Sequence, residues 1–431
     1  MKTEIINAVT TNRTYLISLI SEMVRFASYS GEVEEIQRYL QMKMDELGLA
    51  TELVKVDPVK LDKYKGFSYD GYPYERRYSL LGRQRGNGSA ARGNRGGRSL
   101  ILNGHIDIVP PGDLARWDNQ PLSGHYEAGK IFGRGALDMK AGLAAAITAV
   151  KVFRDLGLQN RGDITIASVC GEETGGCGAF ALIEHGLQAD GCIILEPTKK
   201  NICHIQSGCH TFKLTLKGFS IHACMAYKGV NVIDKFILIY EALKDLDIKR
   251  HQRYAADASG QVKHYENPEN VAPLNVGLLQ AGEWPSSVPD CLEAHGRAGI
   301  FPGETVEDMH REFEETVYSA ARQDPWLADH LPGIEWYEGL FEPAVLKDDH
   351  DLIQVLSDSH SNMSGMAPRL EAVTYGSDMR IFALYGGIPT ILYGPGDVSL
   401  AHTVNEYIEV NEVMDVVCSL VQMLINWCGT V

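Results

Sequence analysis

The sequence predicts an α/β protein built on a doubly wound, mostly parallel sheet and interrupted by an inserted α+β domain of ferredoxin-like type. Three observations carry this reading. Four short runs, LILNG (100–104), DITIASVC (163–170), GCIIL (191–195) and PTILYG (389–394), are apolar and β-branched rather than alternating, the pattern of strands covered on both faces. The Ala-rich stretch 139–157 lies between two of them, spaces its apolar residues by three and four, and stops at Gly157, as a crossover helix does. From about His210 to Arg322 the texture changes to β-α-β-β-α, an order that makes its own small sheet with helices on one face.

In chain order, two amphipathic helical patterns come first, around Asn12 to Phe26 and Glu32 to Leu47, followed by the strand-like TELVKV. The parallel strands and crossover helix occupy the next stretch. In the insertion, HTFKLTLKG alternates with period two, VNVIDKFILIYEALKDL is helical, VAPLNVGLLQAG and CLEAHGRAGIF are strand-like, and TVEDMHREFEETVYSAAR is helical. The expected domains are therefore 1–209 with 323–431, and the insertion 210–322; a chain of 431 residues is long enough for two cores.

Composition bounds the function. With 45% hydrophobic and 22% charged residues the chain can bury a core, which excludes wholesale disorder. Lys plus Arg number 40 against 56 Asp plus Glu, a net charge of −16 that argues against a nucleic-acid partner. The opening residues carry Glu4 and no unbroken apolar core, and no run approaches a membrane span, so neither signal peptide nor anchor is expected. Nine scattered cysteines suit free thiols in a reducing compartment, and a cytoplasmic protein is the expectation. One stretch, 83–98, is biased: Arg83, Arg85, Arg92, Arg95 and Arg98 stand among glycines. Without interleaved aromatics, and in an acidic chain, it reads as a solvated hairpin loop rather than an RNA-binding tract.

The residues able to do chemistry follow the strands. His105 and Asp107 stand just past LILNG, Asp138 at the start of the crossover helix, Glu172 and Glu173 after DITIASVC, Glu196 after GCIIL, and His402 beyond PTILYG. The carboxyl ends of parallel strands share one edge, so five segments deliver two imidazoles and five carboxylates to one rim. Carboxylates crowded there repel one another unless cations intervene. Nitrogen and oxygen donors suit zinc, cobalt or manganese, and two ions would need about six protein ligands with one bridging carboxylate.

GHIDIVP, GRGALDMKAG, GEETGGCG, the EP of LEPT and AHTVNE together resemble, in order and spacing, the family of acetylornithine deacetylase, succinyl-diaminopimelate desuccinylase and carboxypeptidase G, co-catalytic metallopeptidases. The resemblance spans essentially the whole chain. It implies that His105 and Glu196 bind one ion, Glu173 and His402 the other, and that Asp138 bridges them. It also makes Asp107 the residue that orients His105, and Glu172 the general base that takes a proton from the attacking water. The implied cofactor is zinc, one or two ions per subunit, with manganese or cobalt as substitutes.

The insertion would then be a lid that also dimerises. By the same resemblance His222 of LKGFSIHA stabilises the oxyanion in the partner's active site, and Arg297 of EAHGRAGIFPGE grips a substrate carboxylate. Two departures loosen the substrate assignment: Ser287 stands before Val-Pro where relatives have Asn, and HGR replaces a more acidic strand. The implied activity is hydrolysis of a C–N bond in a small carboxylate-bearing substrate, first an N-acyl amino acid and second an aromatic amine of the nitroanthranilate type. An Arg297 that merely pairs with Glu293 or Glu304 is the structural alternative.

Three rival readings come from the residues. GCGAFA, Gly176 to Ala181, fits a dinucleotide fingerprint with Glu196 farther on, but Glu172 and Glu173 would repel a pyrophosphate. Cys203-His204 and Cys209-His210 suggest a zinc quartet, yet neighbours in a strand face opposite sides. An inactive binding scaffold would have no need of an unligated Glu172.

Overall fold

The computed structural model describes residues 1–87, 97–257 and 260–431, without the side chain of Glu338. Two compact units emerge. The first comprises Met1–His204, Leu346–Glu371 and Ser377–Val431, and the second Ile205–Val345 with Ala372–Gly376.

At the centre of the first unit the four runs singled out above lie side by side as parallel strands, in the order Ile164–Val169, Leu100–His105, Cys192–Ile194 and Thr390–Leu392. Their register aligns Ile166, Leu102, Ile193 and Ile391 across the sheet, and all four are fully buried. β-branched side chains buried on both faces are what a parallel sheet selects. Antiparallel strands continue the sheet: Tyr78–Gln84 and then Ala50–Lys55 beyond Ile164–Val169, and Ile202–Gln206 beside Thr390–Leu392.

The crossover helix, Ala141–Asp155, shows why its sequence is rich in alanine and glycine. It packs on Leu100–His105 and on the helices Arg13–Val24 and Val410–Met423, so almost every side chain is buried. At Gly142 a methyl group would sit 2.1 Å from the Leu195 carbonyl oxygen, so the helix approaches the strand end more closely than any side chain permits. The chain also forms a helix Lys2–Thr11 that anchors through Ile5 and Val9.

The second unit is a four-stranded sheet in the order Asn275–Ala281, Cys291–Ile300, Gly208–Lys217, Gly333–Phe341, with the helices Val232–Ala255 and Val306–Ala321 packed on it. Phe212, Leu214 and Leu216 from one strand meet Phe236, Ile239, Leu243 and Leu246 from one helix and Met309, Phe313 and Val317 from the other. These spacings of two, and of three and four, are the strand and helix periods seen in the sequence. Asn231 and Thr305 cap the two helices through the N–H groups of Ile233 and Asp308.

The structure draws the domain boundary differently from the expected 210–322. Gly333–Phe341 pairs with Gly208–Lys217 and completes a β-α-β-β-α-β sheet, so the return to the first unit comes at Leu346 rather than 323. Residues 88–96 of the arginine–glycine stretch lie outside the described residues; of its flanks, Arg83 pairs with Glu52 and Arg98 stacks over Trp427. Among the described residues no helix is long and apolar enough to cross a membrane.

Candidate metal centre

Parallel strands that end at one edge bring their following residues together, and the first unit does this with all seven anticipated side chains. His105 closes the strand Leu100–His105 and is 1% exposed. Its Nε2 lies 3.1 Å from Asp138 Oδ1, 3.8 Å from Glu196 Oε1 and 4.0 Å from Glu172 Oε2. The other Asp138 oxygen, Oδ2, is 3.3 Å from His402 Nε2, which in turn is 3.0 Å from Glu173 Oε1. Asp138 thus presents one oxygen to each imidazole. Glu172 and Glu173 diverge, the second towards His402 and the first towards His105.

Two expectations are refined. The Asp107 carboxylate expected to orient His105 stays 3.9 Å from its Nδ1, whose N–H is instead accepted by the Asp107 main-chain carbonyl oxygen at 2.8 Å. The Asp107 carboxylate instead accepts the Glu173 N–H at 3.1 Å, so it fixes the glutamate loop. Asp138 does not open the crossover helix. It sits in the irregular turn Ala136–Lys140, and regular helix begins at Ala141.

The electrostatics follow from burial and crowding. Burial pushes the carboxyls of Glu172 and Glu196 well above the usual range, and that of Glu173 upward, with neighbouring carboxylates adding to each against the pull of the imidazoles. Burial disfavours charge on His105, but the Asp138 hydrogen bond and the carboxylates of Glu196 and Asp107 outweigh it and raise its pKa. Hydrogen bonds to Asp138 and Glu173 push His402 up to about 10. Burial would raise Asp138, yet the two imidazoles hold it below the usual range. Ligand atoms of His105, Asp138 and Glu173 lie within 4.8 Å of one another, and nitrogen with carboxylate oxygen is the donor chemistry of a zinc, cobalt or manganese ion. The residues fit a divalent metal.

Sequence reasoning missed the pair that holds this arrangement. Arg134, 3% exposed, donates to Glu406 Oε2 at 2.6 Å and to the His402 carbonyl at 3.1 Å. Glu406 Oε1 accepts the N–H groups of Leu137 and Asp138 at 3.0 and 3.3 Å. One buried ion pair thereby ties the backbones of Asp138 and His402 together. His402 needs the restraint, because its φ of 60° is a left-handed conformation that costs a histidine about 1 kcal/mol or more. Breaking such a buried pair from one side costs about 3–5 kcal/mol. Both residues lie inside motifs quoted above, but 272 positions apart, so only the fold reveals the pairing.

The remaining candidates lie in the second unit. His222 and Ser287 form an isolated bridge, and the exposed His222 accepts the Cys224 N–H at its Nδ1. Exposed Arg297 lies beside Thr211 and Asn275 in the sheet and donates to Cys209 Sγ. It does not take up the acids considered for it, since Glu293 pairs with Lys213 and Glu304 with Arg250. The quartet of Cys203, His204, Cys209 and His210 is divided: Cys209 meets Arg297 and His210 meets His310. The dinucleotide reading fails on space. A methyl group at Gly176 would meet Ile381 and Asp378, and one at Gly178 the Cys170 backbone, so these glycines serve close packing inside the protein.

Residues 101–426 match peptidase family M20/M25/M40. Among curated proteins, the chain is 28% identical to the N-formyl-4-amino-5-aminomethyl-2-methylpyrimidine deformylase of Halalkalibacterium halodurans, covering 99% of this chain and 97% of that one. It is 25% identical to a probable succinyl-diaminopimelate desuccinylase of Staphylococcus aureus, covering 91% and 92%. Among solved structures, aminopeptidase PepT of Bacillus cereus shares the fold at a TM-score of 0.71, with 22% identity over 96% of this chain and 98% of that one. The M20 metallo-carboxypeptidase Sso-CP2 of Sulfolobus solfataricus does so at 0.72, with 17% identity over 96% and 99%. Fold and cluster together define a metal-dependent hydrolase acting on C–N bonds of the amide type. The chain belongs to peptidase family M20/M25/M40.

Proposed function

We propose that the protein deacylates a small N-acyl amine, in the first instance an N-acyl amino acid, with Glu172 as general base. The observation that carries this is the divergence of two adjacent glutamates: Glu173 pairs with His402, while buried Glu172 is held 4.0 Å from His105 and left to act on water. His105 and Glu196 would hold one ion, Glu173 and His402 a second, with Asp138 between them; zinc suits the donors, and manganese or cobalt would substitute. Bound ions supply a lowered pKa for water and polarisation of the scissile carbonyl. Glu172 takes the proton of the attacking water as its oxygen joins the acyl carbon, then hands it to the amine nitrogen as the C–N bond breaks. Asp107 keeps the glutamate loop in place through the Glu173 N–H, and the Arg134–Glu406 pair keeps Asp138 and His402 in register.

His222 is assigned to the oxyanion, serving the neighbouring subunit of a homodimer, and Ser287 and Arg297 to substrate binding. Dimerisation through the second unit is supported by apolar side chains left in water: Ile237, Leu238 and Ile248 on the helix Val232–Ala255, and Leu278 and Leu279 on the edge strand Asn275–Ala281. The unpaired cysteines and acidic charge suit the cytoplasm, with no nucleic-acid or membrane partner.

A second reading is favoured by the full-length similarity to pyrimidine deformylases: the acyl group would be formyl and the amine would belong to an aromatic heterocycle without a carboxylate. Release of amine from N-acetyl and N-succinyl amino acids, their methyl esters, the N-formyl aminomethylpyrimidine and an aminobenzoate separates the readings. With an N-acyl amino acid as substrate, Arg297→Lys lowers kcat/KM on the order of 10- to 100-fold, because an ammonium cannot reproduce the guanidinium fork. The ester loses a comparable factor with the native enzyme and little more with the variant. Equal use of acid and ester would overturn carboxylate recognition, and preference for the pyrimidine would establish the second reading.

A further inference from the structure

The loop that carries Glu172 and Glu173 begins and ends on a cysteine. Cys170 follows the strand Ile164–Val169, Cys177 starts the helix Cys177–Glu184, and the residues between them are Gly-Glu-Glu-Thr-Gly-Gly. The loop doubles back on itself: the Gly178 N–H reaches the Cys170 carbonyl at 2.9 Å and the Gly176 N–H reaches that of Gly171 at 2.6 Å. The two thiols meet as a result. Cys177 Sγ donates to the Cys170 carbonyl oxygen at 3.6 Å, and the two side chains lie close enough to interact.

Two further features converge on this pair. Arg77, 2% exposed, places Nη1 3.5 Å from Cys177 Sγ while its partner Asp70 is held at 2.6 Å. The guanidinium thus donates to the Cys177 sulfur from inside the protein. A cavity of about 190 Å³ is lined by Cys170 and Arg77 together with Tyr72, Asp107 and Glu173, so a small polar molecule can come up to Cys170 and to the Arg77 guanidinium that touches Cys177. Among the cysteines, Cys170 is the one found in the lining of a described cavity.

We propose that Cys170 and Cys177 are a peroxide-sensitive thiol pair whose oxidation to a disulfide reversibly shuts off the site. Cys177, 3% exposed against 0% for Cys170 and next to Arg77, reacts first. Its thiolate attacks one oxygen of hydrogen peroxide; the S–O bond forms, the O–O bond breaks, and the departing hydroxide leaves as water with the proton that Cys177 released. The Cys170 sulfur then attacks that of Cys177; the S–S bond forms, the S–O bond breaks, and hydroxide departs with the Cys170 proton as a second water. Two thiols lose two electrons and the peroxide gains them.

A disulfide holds its sulfurs about 2 Å apart, closer than two unlinked sulfurs can come by more than about an ångström, and the only chain between these two is the glutamate loop. A displacement of about 1 Å at such a site costs roughly a hundredfold in rate. The chemical link stands independently of the roles proposed for Glu172 and Glu173; only the effect on turnover rests on them.

The test uses zinc-loaded full-length protein, since zinc has no redox chemistry of its own, with the exposed Cys224 and Cys291 changed to serine to prevent links between chains. Hydrogen peroxide is added and the protein is mapped by mass spectrometry and assayed before and after dithiothreitol. The expected result is a Cys170–Cys177 peptide lighter by two hydrogens, with turnover down about a hundredfold and restored by the reductant. Relative to its own untreated rate, Cys177→Ala is spared, and Cys170→Ala is not restorably inhibited through this link. Absence of the linked peptide overturns the proposal whatever the variants do. A linked peptide with undiminished turnover would refute the shut-off, and equal reversible inhibition of Cys177→Ala would assign the effect to another cysteine.

Discussion

Changing Glu172→Gln lowers turnover by about two to four orders of magnitude and leaves metal content unchanged. The amide keeps the size of the carboxylate and its place in the buried loop, but it cannot accept a proton. Among the site acids Glu172 is the one whose nearest imidazole, His105, is 4.0 Å away, while Asp138, Glu173 and Glu196 all approach an imidazole nitrogen more closely. Glu173→Gln gives the opposite pattern, because its oxygen is the one at 3.0 Å from His402: metal is lost first, and activity falls with it. Metal analysis and single-turnover assay of both variants check the assignment. Parallel loss of metal and activity in Glu172→Gln would make Glu172 a ligand.

The second large effect is expected at Asp138. Its two oxygens face the two imidazoles, so Asp138→Ala removes a donor from both halves of the cluster and leaves Glu172, Glu173 and Glu196 to repel one another without a shared partner. Metal content should fall to near zero and turnover to the uncatalysed background, a deeper loss than His105→Ala, which removes one terminal nitrogen. The fold itself should persist, because Asp138 lies in the irregular turn Ala136–Lys140, outside the sheet, while the parallel strands are buried independently of it. Circular dichroism of the variant separates loss of metal from loss of fold.

Much of this was legible in the sequence, for definite reasons. The four parallel strands announce themselves because both faces are buried, so β-branched residues run uninterrupted; the crossover helix does so because close approach to Leu195 leaves room only for small residues such as Gly142. The residues of the candidate cluster were legible because parallel strands all deliver their following residue to one edge. Gly333–Phe341 escaped because it is an edge strand with a register shift between Tyr337 and Phe341, so its side chains alternate poorly. The helix Lys2–Thr11 escaped because only Ile5 and Val9 anchor it. The use of the Asp107 carbonyl in place of its carboxylate depends on a backbone turn that no residue type encodes. The Arg134–Glu406 pair depends on tertiary closure between two separate segments of the first unit, Met1–His204 and Ser377–Val431.

The central claim is that divalent metal at this cluster makes the protein a hydrolase of amide C–N bonds. The most direct measurement strips the native protein with a chelator, then adds zinc back in steps while bound metal and amine release from the responsive N-acyl substrate are read on the same sample. Turnover should vanish in the stripped protein, rise in proportion to bound metal, and return with cobalt or manganese as well. Undiminished turnover in protein shown to be free of metal would contradict the account.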